Sequence, residues 1–541
     1  MQRRRWANAW MYLVLAGIAA GVSAQEMPRL VQQDGRASLF VEGKPFLELG
    51  AQVDNSSGWS ERLSLVWPAA EKMRLNTLEV PVYWEQMEPA KGTFDFTAID
   101  AILRQAREHK VHLVLLWFGS WKNGKSHYVP DWVKSDTASY PRMKTAAGQP
   151  IDVLSPNEPA NLDADRAAFV ALMHHLREAD AQHTVIMMQV ENESGSLGSV
   201  RDFGATAQKE FAGPVPDELV RGLHKAHGGS WAQVFGDEAD ETFAAWHIAT
   251  YIGQIAAAGK RELALPMYVN NWLKSPRAYP IQTIPGVDYP SGGPTVNMMA
   301  VWKIAAPAID LIAPDIYVPS SENYQQVMRD FHTAQNPLLI PESLGFEPFP
   351  GASGYARYLY FALGQGAIGF ANFGLDRLRL EPPVDAESIA EMEGFRLLGS
   401  FDRELAALAF AGKVKTAVED NGIAQREIDF GETRVLVSYP PAYDPPAAPV
   451  STSSDTSHLK EGRVMVAALG PSEFLVAGID CRVEFLPPIH SGKQMQLLRV
   501  EEGHYDGEMW VPSRLWNGDE TDYGLNFGGR GSLLRVKVGT Y

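Results

Sequence analysis

Eight short apolar runs recur along about 330 residues, at 46–51, 77–82, 111–118, 185–190, 265–269, 311–317, 337–342 and 367–373. Strands of a parallel sheet are covered on both faces, so they read as near-continuous apolar runs rather than as alternating ones. Between them the period changes. Ile99, Ile102, Leu103 and Ala106 fall at i, i+3, i+4 and i+7 behind a capping-box-like Thr97 and Asp100, the pattern of a helix with one buried face. Tyr355, Tyr358, Leu359 and Ala362 repeat that spacing before the eighth run, and residues 63–75 predict a further helix. Eight strand–helix units predict an α/β chain built on a closed (β/α)8 TIM barrel, whose strand C-termini converge on one open face.

The pattern changes again after residue 410. Short alternating runs at 433–439, 463–469, 474–479, 482–486, 497–500 and 533–538 follow with no long helix between them, which predicts a C-terminal antiparallel β-sandwich-like domain packed against the barrel. Residues 440–458, rich in Pro, Ser, Thr and Ala, predict a loop inside it. At the other end Arg3-Arg4-Arg5 precedes an apolar stretch over 10–21 and the small residues up to Ala24, the layout of an export signal. That stretch is shorter than the roughly 20 apolar residues a membrane span requires. The expected organisation is therefore a signal peptide over 1–24, a catalytic barrel over 25–410 and a β-sandwich domain over 411–541. The mature protein is expected to be exported, periplasmic or secreted, with no membrane segment.

Composition excludes partners more than it names them. Lys+Arg 48 against Asp+Glu 65 gives a net charge of −17, a field that repels nucleic acid and anionic membrane surfaces. Fourteen Trp fit stacking on sugar rings as well as core packing. The single Cys481 permits no intramolecular disulfide and, within the strand-like 481–485, reads as a buried structural thiol. His and Cys do not cluster at metal-ligand spacing, and the acidic loop 517–522 lacks the spaced ligands of a calcium loop. No metal and no cofactor is expected.

Chemistry enters with two of the eight runs, which end in Gln189-Val190-Glu191-Asn192-Glu193 and Pro341-Glu342-Ser343. The fourth and seventh strands of such a barrel face each other across its mouth. Hydrolysis of a glycosidic bond needs one carboxylic acid to protonate the leaving oxygen and one carboxylate to attack or to activate water. Strand alternation allows either Glu191 or Glu193 as one of the pair. Trp84, Trp117, Trp121 and Trp272 follow strand ends and are candidate sugar platforms, and Asn270 ends the fifth strand as a candidate sugar contact.

Residues from about 40 to 400 resemble the barrel of the clan A retaining glycoside hydrolases, in which an Asn-Glu pair after strand four supplies the acid/base and a Glu after strand seven the nucleophile. More narrowly, Gln189 to Glu193, Trp84 to Pro89 with Gly92 to Phe96, and Pro130-Asp131-Trp132 resemble glycoside hydrolase family 35, the β-galactosidases. The resemblance implies Glu193 as acid/base and Glu342 as nucleophile. It also implies Asn192 on the sugar 2-hydroxyl, Glu191 as a neighbouring sugar contact and Tyr317 as the residue that positions the nucleophile. The implied activity is an exo-acting, retaining β-galactosidase on an oligosaccharide substrate. The pattern looks most like a bacterial subgroup with a C-terminal β module, some members of which remove galactose from xyloglucan side chains. Two segments depart from the family. Pro81 and Glu85 stand where a Tyr and an Asn are common, and Asn123-Gly124-Lys125 stands near the usual Cys-Ala-Glu, making Asn123 and Lys125 the candidate sugar contacts there. Those departures keep open a clan A enzyme for another β-glycoside. A carbohydrate-binding barrel without catalysis is the second alternative.

Overall fold

The structure, a computed structural model, describes residues 26–275, 281–318, 320–344, 354–382, 384–420, 422–439 and 462–541. The export signal and the loop at 440–458 lie outside the described residues. Parallel strands run in the order Leu339–Ile340, Gly369–Phe373, Glu48–Gln52, Thr77–Tyr83, His112–Lys122, Val185–Asn192, Met267–Trp272, Leu311–Ile316 and Glu342–Ser343. The first and last of these are two halves of one strand, interrupted at Pro341, which has no N–H to continue the ladder. Joining them closes a ring of eight, the predicted barrel, with its strands numbered one to eight from Glu48–Gln52 in chain order.

Strand three shows how the apolar run divides. Leu113, Leu115 and Trp117 pack outward against the helices, while Val114, Leu116 and Phe118 face the interior. The interior is sealed from below by an antiparallel meander, Arg29–Gln33, Arg36–Val41 and Lys44–Phe46, whose Leu39, Val41 and Phe46 join the same core as Val114, Leu311 and Leu339. The apolar-run pattern had placed nothing there. The helix over Thr97–His109 buries Ile99, Ile102, Leu103 and Ala106 as the spacing predicts, but its cap differs: Asp95 Oδ1 accepts from Thr97 N at 2.9 Å. The expected helix at 63–75 is two short ones, Ser60–Leu63 and Trp67–Met73, the second ended by Arg74 at φ +56°.

The C-terminal region is a sandwich of a six-stranded and a four-stranded antiparallel sheet. In Cys481–Leu486 burial alternates strictly, and Cys481, Val483 and Phe485 pack against Val464, Val466 and Phe474 of the other sheet. The sandwich lies against the barrel's last helices: Arg463 Nη2 donates to Ala390 O at 2.6 Å and Thr416 Oγ1 to Tyr360 O at 2.8 Å.

Candidate active site

Strand four does not end as a strand. φ is +64° at Glu191 and +42° at Glu193, left-handed conformations that cost roughly 1–3 kcal/mol each in a non-glycine residue and persist only where neighbours hold them. Glu193 is held from two sides. Its N–H donates to Asn270 Oδ1 at 2.8 Å, and its carbonyl accepts from Gly124 N at 3.1 Å. The consequence is that alternation fails here, and the two glutamates go to different places.

Glu191 turns away from the mouth. Its carboxylate accepts the N–H groups of Ser120 at 3.2 Å and Trp121 at 2.7 Å and lies against Asp165 of the helix Pro159–Ala179. Asp165 in turn accepts from Trp117 Nε1 at 2.9 Å and Tyr251 OH at 3.3 Å. Glu191 thus fastens the end of strand three and is not the sugar contact expected. Trp117 and Trp84 are corrected with it. Both are fully buried, Trp117 against Phe169 and Trp84 donating to Glu88 Oε2 at 2.8 Å, so neither presents a face to a sugar.

Glu193 points into the mouth, 8% exposed. Burial pushes its carboxyl up to about 7; the Lys122 ammonium works against that shift and the charge of Glu342 adds to it. Glu342, on the second half of strand seven, is 6% exposed. Its Oε1 accepts from Tyr317 OH at 2.6 Å, and its Oε2 is buried with no partner among the described residues. Tyr317 is itself held protonated far above the ordinary phenol range by burial and by the Glu342 charge, so it stays a donor. One oxygen of Glu342 is fixed and the other is free.

Asn192 accepts from Lys122 Nζ at 2.8 Å, and its Nδ2 is buried without a partner among the described residues, a donor left for a ligand. Lys122 escaped the sequence reading. It is 6% exposed, with its Nζ 5.2 Å from the centre of the Phe118 ring. What places it is the segment Asn123-Gly124, with φ +53° and +65° between bridged Lys122 and Lys125. Two successive positive φ values are those of a type I′ turn, for which Asn-Gly is the preferred pair. Asn123 Oδ1 is buried and unpartnered among the described residues, whereas Lys125 Nζ is tied to Leu197 O at 3.3 Å. Asn270 spends both ends of its amide, on Glu193 N and on Asp315 Oδ2 at 2.8 Å; it orients the carboxyls rather than presenting itself to a sugar.

Two further features were missed. Asp315, one residue before the end of strand six, brings a third carboxyl beside Glu193 and Glu342. On the rim, Trp59 is 44% exposed and stacks on Tyr83 at 6.3 Å, which stacks on Tyr128 at 5.3 Å. Tyr83 ends strand two, and Trp59 and Tyr128 stand on the segments after strands one and three.

Below the mouth the interior is polar. Glu48 of strand one occupies room left by the absent Cβ atoms of Gly50 and Gly369, and its carboxyl, with both oxygens unpartnered among the described residues, lies beside that of Glu79 on strand two. Burial pushes Glu48 up to about 7, and burial with the Glu48 charge pushes Glu79 well above the ordinary range. A carboxyl raised in the folded state contributes stability that is complete below its unfolded value of 4.5 and is lost as pH rises through about 7. Two and a half pH units at about 1.4 kcal/mol each correspond to roughly 3 kcal/mol. Glu48→Gln is therefore expected to melt higher than the parent at pH 8, with little difference at pH 4.5. Parallel melting curves across that range would refute the assignment.

The family description "Domain of unknown function (DUF5597)" matches residues 392–528. A β-galactosidase of Xanthomonas manihotis is 28% identical over 207 residues, 36% of this chain and 31% of that protein, so the chain spans about a third of that relative's length. The structure of a β-galactosidase from Bacillus circulans sp. alkalophilus aligns with a TM-score of 0.45 at 14% identity, covering 67% of this chain and 57% of that one. That of a β-galactosidase from the psychrophilic Marinomonas ef1 aligns with a TM-score of 0.46 at 13% identity, covering 67% and 62%.

Proposed function

We propose that this protein is a retaining glycoside hydrolase of the family 35 type that removes terminal β-galactosyl residues from oligosaccharides, xyloglucan side chains among them. One observation carries the reading: two buried carboxyls at the ends of facing strands, in opposite environments. Glu193 is raised to about 7 and holds a proton near neutrality, whereas Glu342 has one oxygen fixed by Tyr317 and one free. That is the division of labour the double displacement demands.

Glu342 Oε2 attacks the anomeric carbon while Glu193 gives its proton to the glycosidic oxygen, breaking the bond to the leaving group. The glycosyl ester on Glu342 is then hydrolysed by a water that Glu193, now ionised, deprotonates, so the anomeric configuration is inverted twice and retained overall. Asn192 Nδ2 is the donor for the sugar 2-hydroxyl, where hydrogen bonds strengthen as the ring flattens. The exposed Trp59 at the end of the aromatic row suits the leaving sugar, which must lie outward of the anomeric carbon.

Galactose is supported by the Xanthomonas relative; the pocket around it is rebuilt by Pro81 and by the turn that carries Lys122. A panel of nitrophenyl β-glycosides with galactosylated xyloglucan oligosaccharides tests this. Hydrolysis of the β-galactoside with a β-anomeric first product is expected. Cleavage of a glucoside, mannoside or arabinoside in its place would move the enzyme to another sugar within the same chemistry. Sugar binding without turnover of any member would leave a carbohydrate-binding barrel.

A further inference from the structure

Among the described residues, Asp315 is the acid beside Glu193 and Glu342 that the double displacement does not use. It is 2% exposed, and its Cα is in register with Glu342 on one side and Trp272 on the other. Its Oδ2 accepts from Asn270 Nδ2 at 2.8 Å, and the same amide holds the Glu193 N–H at 2.8 Å. Asn270 therefore locks the side chain of Asp315 and the backbone of Glu193 into one frame. Within that frame Oδ1 of Asp315 is buried with no partner among the described residues, beside the carboxyl of Glu193.

Two ionised carboxylates side by side have no proton to give each other, so a hydrogen bond between them requires one to be in the neutral form. The groups facing Asp315 decide where the proton sits. Glu342 and Glu193 press it toward the neutral form, the single ammonium Lys122 opposes them, and the phenols of Tyr268 and Tyr317 are neutral donors at the same depth. Burial acts in the same direction as the two glutamates and pushes Asp315 well above the ordinary carboxyl range. Since Oδ2 already accepts the Asn270 amide, the proton belongs on Oδ1, directed at Glu193.

We propose that Asp315 is a positioning residue whose carboxylic O–H donates to Glu193 and stabilises the Glu193 carboxylate left after the leaving group takes its proton. The inference rests on Glu193 being the acid/base. No proton is gained or lost by Asp315 through the cycle: Glu193 delivers its proton to the glycosidic oxygen, accepts one from water in the second step, and keeps the Asp315 hydrogen bond in its ionised state between. The stabilisation acts on charge that develops in the transition state, so it accelerates the step rather than tightening binding.

Asparagine at 315 reproduces the arrangement, accepting from Asn270 through its oxygen and donating to Glu193 through its amide. Alanine cannot. Asp315→Ala is expected to lose about 100-fold in kcat/KM on a galactoside with a poor leaving group, the size of one lost oxyanion donor. It is expected to lose less than about tenfold on a dinitrophenyl galactoside, whose leaving group needs no proton. The alkaline limb of its pH profile should also move upward. Asp315→Asn should recover at least about a tenth of the parent rate on the poor leaving group. Retained turnover of the activated substrate reports that each variant is folded, and a melting curve checks it independently. Asparagine as damaging as alanine, or equal losses on both substrates, would overturn the role of Asp315. Glu193→Ala run beside them separates the two levels: if that variant shows no leaving-group dependence either, the failure lies in the acid/base assignment and takes the Asp315 role with it.

Discussion

Glu342→Gly is expected to lower kcat on an aryl β-galactoside on the order of a millionfold, the scale seen when a covalent nucleophile is removed. The reason is in the geometry. Oε2 of Glu342 is the buried carboxylate oxygen of strand seven left without a partner among the described residues, while Oε1 is committed to Tyr317. Removing the side chain leaves room for a small anion, so azide should restore turnover of an activated galactoside. Its product should be the α-galactosyl azide, because one displacement inverts the anomeric carbon once. Azide that restores nothing, or that gives the β-product, would remove Glu342 from the nucleophile role. Tyr317→Phe offers a milder companion: with Oε1 released, the carboxylate loses its fixed orientation and kcat should fall more than KM rises.

The barrel was legible because a strand covered on both faces leaves an apolar run that no surface helix imitates. Its lower closure was not, since Arg29–Gln33 and its neighbours form a small meander whose apolar stretch Leu39-Phe40-Val41 is shorter than the runs of the barrel strands. Within the site, Glu342 and Glu193 stood out as acids at facing strand ends, but choosing Glu193 over Glu191 could not come from alternation. Positive φ at both residues breaks the two-residue period where the choice had to be made. Trp117 could have been placed from the sequence: it shares parity with Leu113 and Leu115, which face the helices. Asp315 was legible in the same way, an acid two residues after Ala313 on the inward face of strand six. Lys122 had its own signal in the Asn-Gly that follows it, the dipeptide of a tight I′ turn, which brings its amine back over the mouth.

Glu193→Ala should give the second large effect, and its signature is selectivity rather than size. General acid catalysis contributes about 10²- to 10⁴-fold, and the leaving group decides how much of that is felt. A sugar alkoxide leaves poorly without a proton, so an oligosaccharide substrate should lose the full amount in kcat/KM; dinitrophenolate leaves unaided, so the first step on that substrate should be nearly spared. The second step still needs a base, and a glycosyl-enzyme on Glu342 should therefore accumulate until azide relieves it, here with the β-galactosyl azide as product, since the ester is displaced with a second inversion. The pH profile gives the same information independently. Glu193 must hold its proton to act and its carboxyl is raised to about 7, so kcat/KM on a poor leaving group should fall about tenfold per pH unit above that value. In Glu193→Ala the alkaline limb should vanish. A limb that survives the substitution would belong to another group of the mouth, and Glu193 would cease to be the acid.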